Sequence, residues 1–198
     1  MPFFDLTKPI NSSLTIFKDG LYSDPALVIT EWCNVESQGY QVSKIQLGTQ
    51  TGTHIDAPAH FKNGGTTLDA LSIEELIGSY FLIDLANGQA NDDFLKFYKN
   101  EKFIFLRGQN TILPQKYFAQ LLKLPPKVWI VDAAIQIENA GPFFFHQALA
   151  EAGIFLIEDL NSNVATQIPQ DGELIALPLA LTGTSGAPCR VVVRTKHA

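Results

Sequence analysis

Residues 50–61, QTGTHIDAPAHF, gather more reactive side chains than any comparable window of the chain, including two of its four histidines. Gln50, His54, Asp56 and His60 all carry even numbers, so an extended backbone, whose side chains alternate between faces, would project them to one side. Helix is disfavoured there by Gly52, by Thr51 and Thr53, and by Pro58. An imidazole and a carboxylate two residues apart suit a divalent cation, and a second imidazole a little downstream suits proton transfer. A bare His-x-Asp is weak evidence, because such short combinations arise by chance; the complete stretch is much more specific.

Something must deliver that window. A strand over 42–49, with Ile45 and Leu47 on the face opposite the even-numbered residues, would end where the window begins. An earlier strand is expected over 26–32. Ser72 followed by Glu75 resembles a capping box opening a short helix that stops near Gly78, with a strand over 80–85 after it. Asn91 suits the cap of a helix through 98, and 102–106 reads as a buried strand. Residues 115–123 have helical spacing, with Pro114 in the first turn and Pro125 and Pro126 as a stop; 128–135 reads as strand. The segment 144–153 looks like a helix ended by Gly153, leading into a strand over 154–158, and β-rich stretches at 173–181 and 188–195 follow.

The second chemical pair is His146 and Glu158. Periodicity places the first on a helix and the second at the end of the next strand, and nothing local brings either to the 50–61 window. Duller readings stand beside the chemical ones. His146 on an apolar helix also fits a packed core residue, Glu158 beside Asp159 a solvated strand end, and Asp56 before Ala57 and Pro58 a turn.

At 198 residues and 46% hydrophobic, the chain can bury a sizeable core, and no repeat, low-complexity segment or linker divides it, so 1–198 is expected to be one domain. Strands interspersed with helices indicate a mixed α/β or α+β fold, and periodicity does not reach the topology. A formal net charge of −6 with no long basic run argues against nucleic acid or an anionic membrane as partner and for a small molecule. The opening MPFFDLTKPI lacks a basic n-region and a long apolar run, and stretches such as 174–181 are too short to span a bilayer, so a cytoplasmic protein is expected. Cys33 and Cys189 form neither a zinc-knuckle spacing nor a disulfide framework, and read as buried free thiols.

The window TGTHIDAPAHF resembles the HxGTHxDxPxHF signature of the metal-dependent cyclase family, which includes bacterial kynurenine formamidases and related amide and lactam hydrolases. Gln50 stands where that signature begins with histidine. The resemblance extends to FDLTKPI at 4–10, HQALAEAGIFLIEDL at 146–160 and LPLALTGTSGAPCRVVV at 177–193. It implies a swivelling β/β/α sandwich that assembles as a homodimer or homotetramer. It also implies a binuclear site, with Gln50, His54, Asp56 and Glu158 around one ion, and Asp56, Glu158 and His146 around the other, the two carboxylates bridging. One or two divalent ions per chain are then expected, zinc first, with manganese or magnesium also suited. Such ions lower the pKa of water from about 16 toward about 7. His60 matches the family's proton donor and acceptor.

The implied reaction is hydrolysis of a small amide, with an aryl formamide such as N-formylkynurenine as the leading substrate type. A cyclic amide or lactone hydrolase, and a degenerate relative that binds a small ligand or metal without turnover, are the alternatives. Phe17 lies where formamidases of the family place an aromatic against the substrate ring, although the surrounding IFKDGLYSDP departs from the family's turn. Arg107 and Arg190 match family arginines, for which structural ion pairing is the expected role.

Overall fold

The computed structural model describes residues 2–85, 93–108 and 111–195. In chain order, strand β1 (Phe3–Asp5) is followed by two outlying hairpins, β2 (Lys18–Asp19) with β3 (Tyr22–Ser23), and β4 (Val28–Cys33) with β5 (Val42–Gln46). A single helical turn, α1 (Val35–Gln38), joins the second pair; Asn34 caps it by accepting from the Ser37 N–H, and Gly39 closes it in the left-handed region. Next come β6 (His54–Asp56), β7 (Ile77–Asp84), β8 (Phe103–Arg107), β9 (Thr111–Leu113), helix α2 (Gln115–Leu121), β10 (Val128–Val131) and β11 (Ile135–Ile137). Helix α3 (Phe144–Glu151), β12 (Phe155–Glu158), the turn α4 (Ser162–Ala165), β13 (Glu173–Pro178) and β14 (Gly186–Arg194) complete the chain.

Eight strands form one sheet in the order β1-β14-β13-β7-β8-β10-β12-β6, and β6 also pairs with β14, which closes the sheet on itself. Strands β7, β8, β10 and β12 run parallel to their neighbours within that set, whereas β6, β13, β14 and β1 pair antiparallel.

Alternation along the central strands divides the apolar residues between two compartments. Phe103, Phe105, Val128, Ile130, Phe155 and Ile157 point into a core shared with Ile55, Leu174, Ala187, Val191 and Val193 from the antiparallel half. Ile104, Leu106, Trp129, Val131 and Leu156 point the other way, against Phe118 and Leu121 of α2 and Phe145 and Leu149 of α3. The result is the layered β/β/α arrangement of a mixed α+β protein. Continuous apolar runs such as Phe103–Leu106 of β8 and Val128–Val131 of β10, buried throughout, are what a sheet covered on both faces requires.

Most elements fall where the sequence places them, with instructive exceptions. The strand expected over 42–49 ends at Gln46 and belongs to the outlying β4–β5 ribbon, every residue of which is exposed except Cys33. It therefore does not carry the 50–61 window into the sheet. A turn intervenes, in which Gly52 takes a positive φ of 66° against the Leu14 side chain, and His54–Asp56 forms a separate three-residue strand. After Asp56, Pro58 opens a 3-10 turn through His60. The even-number alternation consequently holds only for His54 and Asp56.

The capping-box helix is a 3-10 turn over Ile73–Leu76 whose N-cap Ser72 makes no side-chain cap bond, and Gly78 lies inside β7. The helix expected through 98 is a 3-10 turn at Phe94–Phe97, and its expected cap, Asn91, lies outside the described residues. Cys189 is buried as expected, but Cys33 is only half-buried because its strand leaves the body of the protein.

Candidate metal centre

Strand β6 is flanked on one side by β12 and on the other by β14, and this double pairing fixes the positions of the key side chains. His54 is the cross-strand partner of Glu158, and Asp56 that of Gly186. His54 Nε2 lies 3.4 Å from Asp56 Oδ1 and 3.4 Å from Glu158 Oε1. One ligand atom from each of the three falls within 4.8 Å of the others. Donors about 2.1 Å from a tetrahedral cation are about 3.4 Å from one another, so the spacing is that of a coordination shell.

Each candidate ligand is oriented by its surroundings. His54 Nδ1 is 2.7 Å from the Gly52 carbonyl, an obligate acceptor, so Nδ1 carries a proton and Nε2 faces the carboxylates. The left-handed turn at Gly52 sets that carbonyl under the ring. Asp56 is buried, and its Oδ2 finds no hydrogen-bond partner among the described residues. Burying a carboxylate oxygen without a partner costs several kcal/mol unless a cation compensates it. The donor set and the orphaned oxygen together fit a divalent ion.

His146 reaches the same place from α3. Its Nε2 lies 3.1 Å from Glu158 Oε2, the oxygen not used toward His54, so Glu158 spans the two imidazoles. The ring of Phe61 lies over His146 with centroids 4.9 Å apart, and Phe143 and Phe145 contact the same imidazole. A cavity of about 10 Å³ separates Asp56 and His146 from Leu149 and Leu156. A larger one, about 690 Å³, runs along β7 between Tyr80 and Phe97 and shares no residue with the candidate site.

Electrostatics follow from this enclosure. Burial disfavours the His54 imidazolium, but hydrogen bonds and charge from Asp56 and Glu158 outweigh it and hold its pKa well above the ordinary value. His146 is shifted up by the same contest, with Glu158 as its main anionic partner. Burial would raise Glu158, and the two imidazoles overcome that and lower it far below the carboxylate range.

Of the residues singled out in the sequence, the structure thus brings together His54, Asp56, His146 and Glu158. Gln50, on the turn before β6, reaches the cluster through its amide nitrogen, 3.3 Å from Asp56 Oδ1. His60 is exposed and meets Phe61 edge-on, ring centroids 4.6 Å apart, which links it to His146 only through that phenyl ring. Phe17 is half exposed, has Tyr22 as its ring neighbour and adds no contact to the cluster. Arg107 pairs with Asp84 and Arg190 with Asp5, the structural roles expected of them. Residues that the sequence did not single out include Thr49, Ser185 and Gly186, which surround the Gln50 amide. The signal available was the SGAP of the closing segment, which lies next to β6 only once β14 is in place.

The sequence profile of the Cyclase family, described as "Putative cyclase", matches residues 4–108. The chain belongs to that family. It is 27% identical over 210 residues to a kynurenine formamidase of Bacillus cereus strain ATCC 10987, covering 97% of each chain. Its fold is similar to that of isatin hydrolase A from Labrenzia aggregata, with a TM-score of 0.80 at 19% identity, covering 99% of this chain and 94% of that one. A structure described as that of a "predicted metal-dependent hydrolase" from Bacillus stearothermophilus superposes with a TM-score of 0.70 at 25% identity over 97% of both chains. None of the described helices is long and apolar enough to cross a membrane.

Proposed function

We propose that the protein is a metal-dependent hydrolase that cleaves the C–N bond of a small amide, with aryl formamides such as N-formylkynurenine as the substrate class to test first. The observation that carries the reading is the convergence of His54, Asp56 and Glu158 donor atoms within 4.8 Å of one another, on strands whose pairing presets the shell. The similarity to kynurenine formamidases over 97% of the chain supports the choice of bond.

A divalent cation in this shell, zinc, manganese or magnesium, would polarise the scissile carbonyl and bring the pKa of water toward neutrality. The chain's own residues supply the rest. The Gly52 carbonyl keeps His54 in the tautomer that offers Nε2, Glu158 ties His146 to the cluster, and Phe61 and Phe143 form an apolar rim beside it. His60, at the end of the 58–60 turn, takes the proton of the attacking water and returns one to the departing nitrogen.

A second copy of the chain is the partner included in this reading. The support is the β4–β5 ribbon, which exposes Ile29, Trp32 and Ile45, although an isolated two-stranded ribbon is marginal in water. Light scattering coupled to size exclusion tests it; a monomer at micromolar concentration would exclude it. The activity test is turnover of a panel of aryl formamides, lactams and lactones before and after chelation, with metal content measured on the same samples. Loss on chelation and recovery on adding metal is expected. Full activity in protein shown to be metal-free would refute the mechanism, and bound metal without turnover of any member would favour a binding protein.

A further inference from the structure

Gln50 is the position where this chain departs from the motif it otherwise matches, and its side chain sits in a closely specified setting. The amide nitrogen lies 3.3 Å from Asp56 Oδ1, 3.5 Å from the Ser185 carbonyl oxygen and 3.4 Å from Ser185 Oγ. The amide oxygen accepts from the Thr49 hydroxyl at 2.5 Å. The first two neighbours of the nitrogen, a carboxylate and a backbone carbonyl, can only accept. Were the amide turned over, Oε1 would face two acceptors with no proton between them, so the orientation is dictated by its partners. An amide nitrogen that donates two hydrogens has no lone pair for a cation.

The backbone around it makes room for this arrangement. Gly186 is the cross-strand partner of Asp56, and a Cβ there would stand 2.7 Å from Gln50 Nε2 and 2.5 Å from the Ile55 carbonyl oxygen. The gap left by the absent side chain is the one the Gln50 amide enters to reach Asp56.

Resting on the metal-site reading above, we propose that Gln50 is a positioning residue: it holds Asp56 by donation and leaves the ion at this position with three protein ligands, His54, Asp56 and Glu158. Three protein ligands and one open position is the arrangement that admits water or substrate, whereas four close a tetrahedral site. A histidine at position 50 would offer a fourth donor. The glutamine instead fixes the direction of a ligand, and its loss should weaken binding as other outer-shell losses do, by about 10–100-fold.

The test uses the full chain freed of metal, Zn²⁺ as the probe, and Gln50→Leu. The variant should bind the same number of Zn²⁺ ions per chain, about 10–100-fold more weakly by competition with a chromogenic chelator, with the metal-free variant shown to be folded by a cooperative unfolding transition. Crystals of the Zn²⁺-loaded wild type should show Gln50 Nε2 still within hydrogen-bond distance of Asp56 and no Gln50 atom within about 2.4 Å of the ion. Gln50 Oε1 among the ligands, fewer ions bound by the variant, or unchanged affinity would each overturn the assignment. Failure of the wild type to take up Zn²⁺ or Mn²⁺ at all would instead remove the metal-hydrolase reading, and this assignment with it.

Discussion

His54 and Glu158, 104 positions apart in the sequence, face one another across the antiparallel pairing of β6 and β12, with Nε2 and Oε1 separated by 3.4 Å. Because Glu158 uses its second oxygen toward His146, its removal costs both imidazoles a carboxylate partner and leaves His54 only Asp56. Glu158→Ala is expected to lower metal affinity by more than the about 10–100-fold of an outer-shell loss. Elemental analysis of the purified variant, beside the wild type, measures it; equal metal content would exclude Glu158 from the shell.

The ligand and proton-carrier roles separate by mutation. His60→Ala should lose about 10²-fold or more in kcat, in line with general acid–base contributions, while keeping its metal, since His60 is exposed and outside the cluster. Asp56→Ala should empty the site. A His60→Ala protein that loses its metal would place His60 among the ligands.

The titrations of the metal-free protein have a definite sign. His54 and His146 have folded pKa values raised above 6.5, so the stability they contribute is fully present below about pH 6.5 and fades as pH rises through the folded values. Glu158 is lowered from 4.5, so its contribution is present above about that pH and lost only in stronger acid. The unfolding midpoint of chelated protein should therefore fall between pH 6.5 and pH 9. A midpoint flat or rising over that interval would contradict the enclosure of the imidazoles by the two carboxylates.

The two thiols should differ in reactivity. Burial pushes the Cys189 thiol up to about 12, so at pH 8 it is protonated as well as inaccessible, whereas Cys33 lies half-buried on the outlying ribbon. A chromogenic disulfide reagent should label one thiol in the native chain and two after denaturation. Labelling of Cys33→Ser in its native state would show that the β13–β14 pairing around Cys189 opens.

Local signals carried much of the fold. Continuous apolar runs located β8, β10 and β12, and the αL glycine at 153 ended α3 where expected. What local signals missed was allegiance: Val42–Gln46 has the pattern of a strand but joins the ribbon, because Gly48 and Gly52 turn the chain before it enters the sheet. His54 and Asp56 were legible as a pair from spacing, since both lie on one face of a strand. Their meeting with Glu158 and His146 was reached through family resemblance, because pairing across a hundred residues leaves no periodic trace. The Gln50 amide environment was not legible, for it depends on a missing Cβ at Gly186.

The double pairing of β6 also governs when the centre can come into being. Its neighbours are residues 156–158 and 186–188, so during synthesis the three-residue strand waits for most of the chain before either edge is matched. A chain stopped shortly after Glu158 would already contain every candidate ligand, yet β6 would have an open edge where β14 belongs and Ala57 would lack the Ser185 carbonyl that accepts its N–H. Loading with the proposed metal would thus be a late event in the life of the nascent chain, and it would report that the C-terminal strand has been laid down.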